Sequence, residues 1–193
     1  MATIVPLVEG HGEVNAASVL LRRLVHREER FDVDIARPFR VKRNRVVKAE
    51  ELERSLTLAI RARDADAALV LLDADDDCPV ELASDLLVRT EGAAFPKVSV
   101  VVASREFEAW FLAAKRSLRG TCSIRPDAEC VANAEEIRDA KGRLTSNMEG
   151  SRRYLEVDDQ PRFAAVVDLD LAEERSRSFQ KLCKEIREIL AAI

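Results

Sequence analysis

Apolar residues fall along this chain in two rhythms: short unbroken runs, and longer stretches at helical spacing. Ile4–Val8 is an apolar run that stops at Glu9-Gly10, the mark of a strand buried on both faces. From Glu13 to about Glu29, Val14, Ala17, Leu20, Leu21, Leu24 and Val25 recur as one helix face. A second strand is predicted near Phe31–Pro38, where Val33 and Ile35 alternate with aspartates. Glu50–Arg63 reads as a helix with Leu52, Leu56, Ala59 and Ile60 on one side. Ala67–Leu72 is a third strand, ending abruptly in aspartates, and Pro79 suits the first turn of a helix running to about Glu91. Val98–Ala103 is a fourth strand, and S-R-E-F-E-A-W-F-L-A-A after it predicts a helix with Ser104 as N-cap.

Strands alternating with helices predict the α/β class, a parallel four-stranded sheet covered by helices on both faces. Beyond about Gly120 the rhythm becomes wholly helical, with Ala132–Leu144 and Leu171–Leu190 as the best helices. Phe179, Leu182, Cys183, Ile186, Ile189 and Leu190 form an amphipathic stripe on the last one. Arg119–Cys130 and Met148–Pro161 are expected as irregular connections. The expected organisation is an α/β domain over residues 1–118 and a helical extension over 119–193 packed on it.

Composition adjusts this picture only a little. The chain has 193 residues, 47% of them hydrophobic, enough for a full core. Charged residues make up 34%, with a net charge of −4, which by itself announces no nucleic-acid binder. No run approaches the ~20 apolar residues of a membrane span. The start, M-A-T-I-V-P-L-V-E-G, reads as a strand and lacks the basic segment and cleavage site of a signal peptide. Cys78, Cys122, Cys130 and Cys183 are scattered without a C-x-x-C pair, which fits reduced thiols in the cytoplasm. With only His11 and His26, a structural zinc site is not expected.

The chemistry lies in where the acids fall. The first strand delivers Glu9 and then Glu13, the third delivers Asp73, Asp75, Asp76 and Asp77, and the fourth delivers Glu106 and Glu108. In an open α/β sheet the functional crevice lies outside the carboxyl ends of the strands, so these acids are expected on one edge. Gathered carboxylates repel and raise one another's pKa unless a cation joins them. A hard divalent ion with oxygen ligands, Mg2+ or Mn2+, resolves this, and the spacing is not that of an EF-hand for calcium. The blander reading of Glu13, and of one of Glu106 and Glu108, is a first-turn acid favoured by the helix dipole. Asp76 and Asp77 read as loop or capping residues. Gly10 and Gly12 allow a tight turn around His11, but the run is neither a Walker A loop nor a Rossmann fingerprint.

These residues resemble the Toprim superfamily, the catalytic domain of topoisomerases, primases, recombination proteins and OLD-family nucleases. The resemblance runs from Ala2 to about Ala114, with V-E-G-H-G-E at Val8–Glu13 and D-A-D at Asp73–Asp75 as its motifs. The whole chain is more similar still to a bacterial group of small Toprim-like proteins. It shares their E-F-E-A-W at Glu106–Trp110, D-Q-P at Asp159–Pro161 and S-x-S-F at Ser176–Phe179. The resemblance implies phosphoryl-transfer chemistry on nucleic acid. Glu9 would be the catalytic acid/base and Asp73 and Asp75 metal ligands. Glu13 could also hold a metal, and Glu106 or Glu108, which have no counterpart in the general motif, could supply a second ion. Tyr154, the only tyrosine, lies in an expected connection, which speaks against a topoisomerase.

The expectation is therefore a Mg2+- or Mn2+-dependent nuclease or phosphodiesterase with one or two ions. Its setting would be phage defence or DNA repair, with an ABC- or AAA-type ATPase partner. The basic run Arg37–Lys48 offers Arg40, Lys42, Arg43, Arg45 and Lys48 to a phosphate backbone, although such runs are more often solvated faces. The alternative is a non-catalytic Toprim-like subunit that binds nucleic acid or an ATPase. A receiver-like phosphoacceptor role for Asp73 is disfavoured, because Ala103-Ser104 stands where a receiver needs lysine.

Overall fold

The computed structural model describes residues 1–48, 50–91 and 95–193. It is an α/β protein built on one parallel sheet. The strands are β1 (Ala2–Val8), β2 (Val33–Ile35), β3 (Phe39–Arg40), β4 (Ala67–Asp73) and β5 (Lys97–Ala103). The order across the sheet is β2-β1-β4-β5, and β3 pairs β1 on the edge that β2 also uses. The expected second strand is thus split in two. Pro38, with no N–H to give the ladder, stands in the break, and pairing resumes when Val41 N–H donates to Val8 O at 2.8 Å.

Nine helices accompany the sheet among the described residues: α1 (His11–Arg27), α2 (Arg43–Val46), α3 (Glu51–Arg63), α4 (Pro79–Glu91), α5 (Glu108–Ala113), α6 (Ala140–Ser146), α7 (Glu156–Val166), α8 (Leu169–Arg175) and α9 (Arg177–Ala192). Strand residues alternate between two cores. Val5, Leu7, Val70, Leu72, Val100 and Val102 pack with α3 and Leu86 of α4 on one face. Ile4, Val8, Leu69, Leu71, Val101 and Ala103 pack on the other face with α1, α5, α7, α8 and α9. Residues 119–193 therefore supply much of one whole layer. None of the helices is long and apolar enough to cross a membrane among the described residues.

Four sequence expectations need correction. Ser104 caps no helix, because α5 starts only at Glu108 after a turn in which Arg105 takes φ +64°. The helix expected over Ala132–Leu144 shrinks to α6, since Ala132–Asp139 forms a 3-10 turn and extended links before Asp139 caps it through Gly142 N. Met148–Pro161 is irregular only to Leu155, with Pro161 inside α7. Leu171–Leu190 is broken at Ser176, whose backbone is extended and whose side chain accepts from Phe179 N. The apolar stripe lies wholly within α9, after that break, and α8 and α9 cover the same core.

Candidate metal centre

β1 and β4 lie side by side, and their carboxyl ends deliver Glu9 and Asp73 to one edge of the sheet. α1 follows β1 after only Glu9-Gly10, so Glu13 in its first turn folds back under the strand end. There its carboxylate accepts a hydrogen bond from Glu9 N at 3.0 Å. Glu13 is buried, and burial first, then the neighbouring Glu108 and Glu9, raise its pKa to about 7 against the backbone hydrogen bonds that lower it. Asp73 keeps some residue surface, yet the protein around its carboxyl is dense. That burial, with Glu13 and Glu108, holds its pKa well above the ordinary range, and the Phe107 amide donating to Oδ1 at 2.7 Å only partly offsets it. Glu9 is also raised by burial, with Arg43 opposing.

The turns after β4 and β5 are locked to each other. Ala74 N donates to Ala103 O at 2.9 Å, and Asp75 N to Arg105 O at 3.0 Å. Asp75 and Arg105 both take left-handed backbone, φ +51° and +64°, which bends each turn sharply. The bend at Asp75 turns its side chain outward, where it is exposed and 3.6 Å from the Arg43 guanidinium. Asp76 pairs with Arg105 and Arg138, and Asp77 with Arg43.

Glu108, at the first turn of α5, is fully buried. Its Oε1 accepts from Tyr154 OH at 3.0 Å and from Gln160 Nε2 at 3.2 Å. Its Oε2 lies 3.1 Å from Lys141 Nζ of α6, an ion pair without hydrogen-bond alignment. Lys141 also pairs with Glu106 at 3.2 Å, and Glu106 accepts from Ala140 N at 3.0 Å. Burial lowers the Lys141 pKa, but Glu108, Asp73 and Glu106 outweigh it and hold the ammonium firmly charged.

The structure thus brings Glu13, Asp73 and Glu108 together, places Glu9 beside them and Glu106 at the far side of Lys141, and leaves Asp75 outside. Lys141, Tyr154 and Gln160 complete the group and had no sequence signal beyond Tyr154 being the only tyrosine and Gln160 belonging to D-Q-P. The other recognised motif residues make structural contacts of their own. Trp110 Nε1–H donates to Ser178 Oγ at 2.8 Å, and the Trp110 and Phe179 rings meet edge-on at 5.3 Å. Asp159 accepts from Leu155 N at 2.8 Å and pairs with Arg152 and Arg162, which fixes the start of α7.

A crevice of about 1040 Å³ opens over Glu9, between Arg40, Lys42 and Arg43 on one wall and Leu155, Glu156, Val157 and Asp158 on the other. Arg40 Nε donates to Glu9 O at 3.1 Å, and Arg43 reaches the carbonyls of Asp73 and Ala74. Arg45 turns away to Glu51, and Lys48 is exposed beyond the crevice. As the side chains stand, no three His, Cys, Asp or Glu groups surround a common point among the described residues. The donor chemistry nevertheless suits a hard divalent cation. It is all oxygen, burial and then neighbouring carboxylates raise the pKa of Glu9, Glu13 and Asp73, and Glu9 Oε2 is buried without a hydrogen-bond partner. No curated protein and no solved structure matches the chain. One family model matches residues 8–187, the span that carries Glu9, Glu13, Asp73, Glu108, Lys141 and Gln160 alike, and the chain belongs to that family, described as Domain of unknown function (DUF4276).

Proposed function

We propose that this protein is a divalent-metal-dependent phosphodiester hydrolase acting on nucleic acid, with a Toprim-like catalytic edge. The observation that carries the reading is the gathering of Glu9, Glu13 and Asp73 around the carboxyl ends of two adjacent parallel strands, with Glu9 lining a crevice walled by Arg40, Lys42 and Arg43. Those basic groups would hold the phosphate backbone, with binding that weakens steeply as salt rises. Glu9, Glu13 and Asp73 would hold Mg2+ or Mn2+, with Glu108 and Glu106 nearby for a second ion, while Asp75 faces away from them. The bound ion would polarise the phosphate and the attacking water. Glu9, half-buried with one oxygen unpaired, is placed to take or return a proton at the crevice floor. The four free thiols support a cytoplasmic setting, and an ATPase partner in phage defence or DNA repair belongs to the same reading.

The test is cleavage of single- and double-stranded DNA and RNA with Mg2+ or Mn2+. Asp73→Asn should reduce cleavage by about a hundredfold, as loss of a group acting on the transition state does. Undiminished cleavage by that variant sinks the proposal.

A second reading is a non-catalytic subunit that binds nucleic acid or an ATPase. It is favoured by the partners that part of the cluster already has, since the Phe107 amide donates to Asp73 and Lys141 pairs with Glu106 and Glu108. Wild-type protein that binds nucleic acid with metal present yet never cleaves it would establish this reading.

A further inference from the structure

Among the described residues, Lys141 is the one cation within ion-pair distance of Glu106 or Glu108. Its two partners differ in freedom. Glu108 is pinned by Tyr154 and Gln160 and cannot follow the lysine. Glu106 lies at the edge and also holds the first amide of α6. The lysine side chain is itself 37% exposed, on a helix of only seven residues, so the ammonium has a route to solvent that leaves Leu144 anchored in the core.

A metal ion and this ammonium would compete for Glu108 Oε2. Magnesium binds oxygen at roughly 2.1 Å, and the Lys141 nitrogen already lies 3.1 Å from that atom. Two cations on one oxygen would repel at a few ångströms in surroundings that screen charge poorly.

We propose that Lys141 is the resident counter-ion of the acid cluster, a positioning residue that competes with a divalent cation for Glu108 and Glu106 and must withdraw for the site to load fully. This rests on the metal-site reading above. It adds that the site is held in a low-affinity state by its own lysine, so that whatever draws Lys141 outward, a substrate phosphate being the natural anion, would promote loading.

The experiment is a Mn2+ binding isotherm by calorimetry, with melting curves with and without Mn2+, on full-length wild type, Lys141→Met and Lys141→Arg. Lys141→Met should bind Mn2+ about tenfold more tightly or better, while Lys141→Arg, which keeps the charge, should stay within about twofold of wild type. Without metal, Lys141→Met should melt below wild type, and Mn2+ should raise its melting temperature by more. If Lys141→Met fails to fold, Lys141→Gln, which keeps a polar group for Glu106, must show the same gain. Wild type and the neutral variant binding Mn2+ equally, or the neutral variant binding more weakly, overturns the counter-ion role and leaves the metal site standing. Binding by none of them overturns both.

Discussion

Glu13 shows how far a residue's place can move its chemistry. Its pKa is about 7 folded against an ordinary 4.5, so the folded chain holds that proton more tightly than the unfolded chain. Stability from this group is complete below about pH 4.5 and is lost as pH rises towards 7. Asp73 and Glu108, also raised by burial, act in the same direction. Metal-free protein should therefore be less stable at pH 8 than at pH 5.5, with the Glu13 share about 2 kcal/mol across that range. Urea melts across this range on wild type and Glu13→Gln would check it, the variant showing the shallower slope. Gly12 makes a second residue-scale prediction. A Cβ there would meet Gln160 Oε1 at 2.6 Å and the Glu156 backbone oxygen at 2.7 Å. Gly12→Ala should cost about 2 kcal/mol in a denaturant melt, because the contact includes backbone that cannot swing aside.

Among the elements, the strands were more legible than the late helices. Apolar runs such as Ala67–Leu72 predict strands because both faces of a parallel sheet are buried, and the run itself reports that. The start of α5 was misplaced because Ser104 resembles a cap locally, whereas the locked turns after β4 and β5 delay the helix to Glu108. α9 shows the opposite case. Its start depends on Ser176 and on Glu135, a residue 43 positions before Ser178, which accepts from Ser178 N at 2.9 Å. Ser176→Ala should cost about 1 kcal/mol, the usual worth of an N-cap. Glu135→Ala should lower the melting temperature as well, and an unchanged value for both would show that Phe179 packing alone sets the helix start.

Over the whole molecule, the boundary expected near residue 118 divides the chain but not the core. α7 lies along α1, α9 covers β5, and one apolar cluster runs from Ile4 to Leu190. A fragment of residues 1–118 would expose the faces of α1 and α5, including Trp110 and Phe111, and would lose Tyr154 and Gln160 from Glu108. It should show no cooperative thermal transition by circular dichroism, whereas the full chain should melt as one unit.

The sequence by itself determined the α/β class, the parallel sheet and the delivery of acids to its carboxyl edge, because burial pattern and strand-end chemistry are local properties written in consecutive residues. It could also name Glu9, Glu13, Asp73 and Glu108 as candidates, since each sits within a few positions of a strand end. Only the tertiary structure decided which acids meet. A left-handed turn at Asp75 sends that side chain outward, and α6 and α7 return from far along the chain with Lys141, Tyr154 and Gln160. The charge on the cluster depends on those returning groups and on its distance from water, quantities that belong to packing and not to any stretch of sequence.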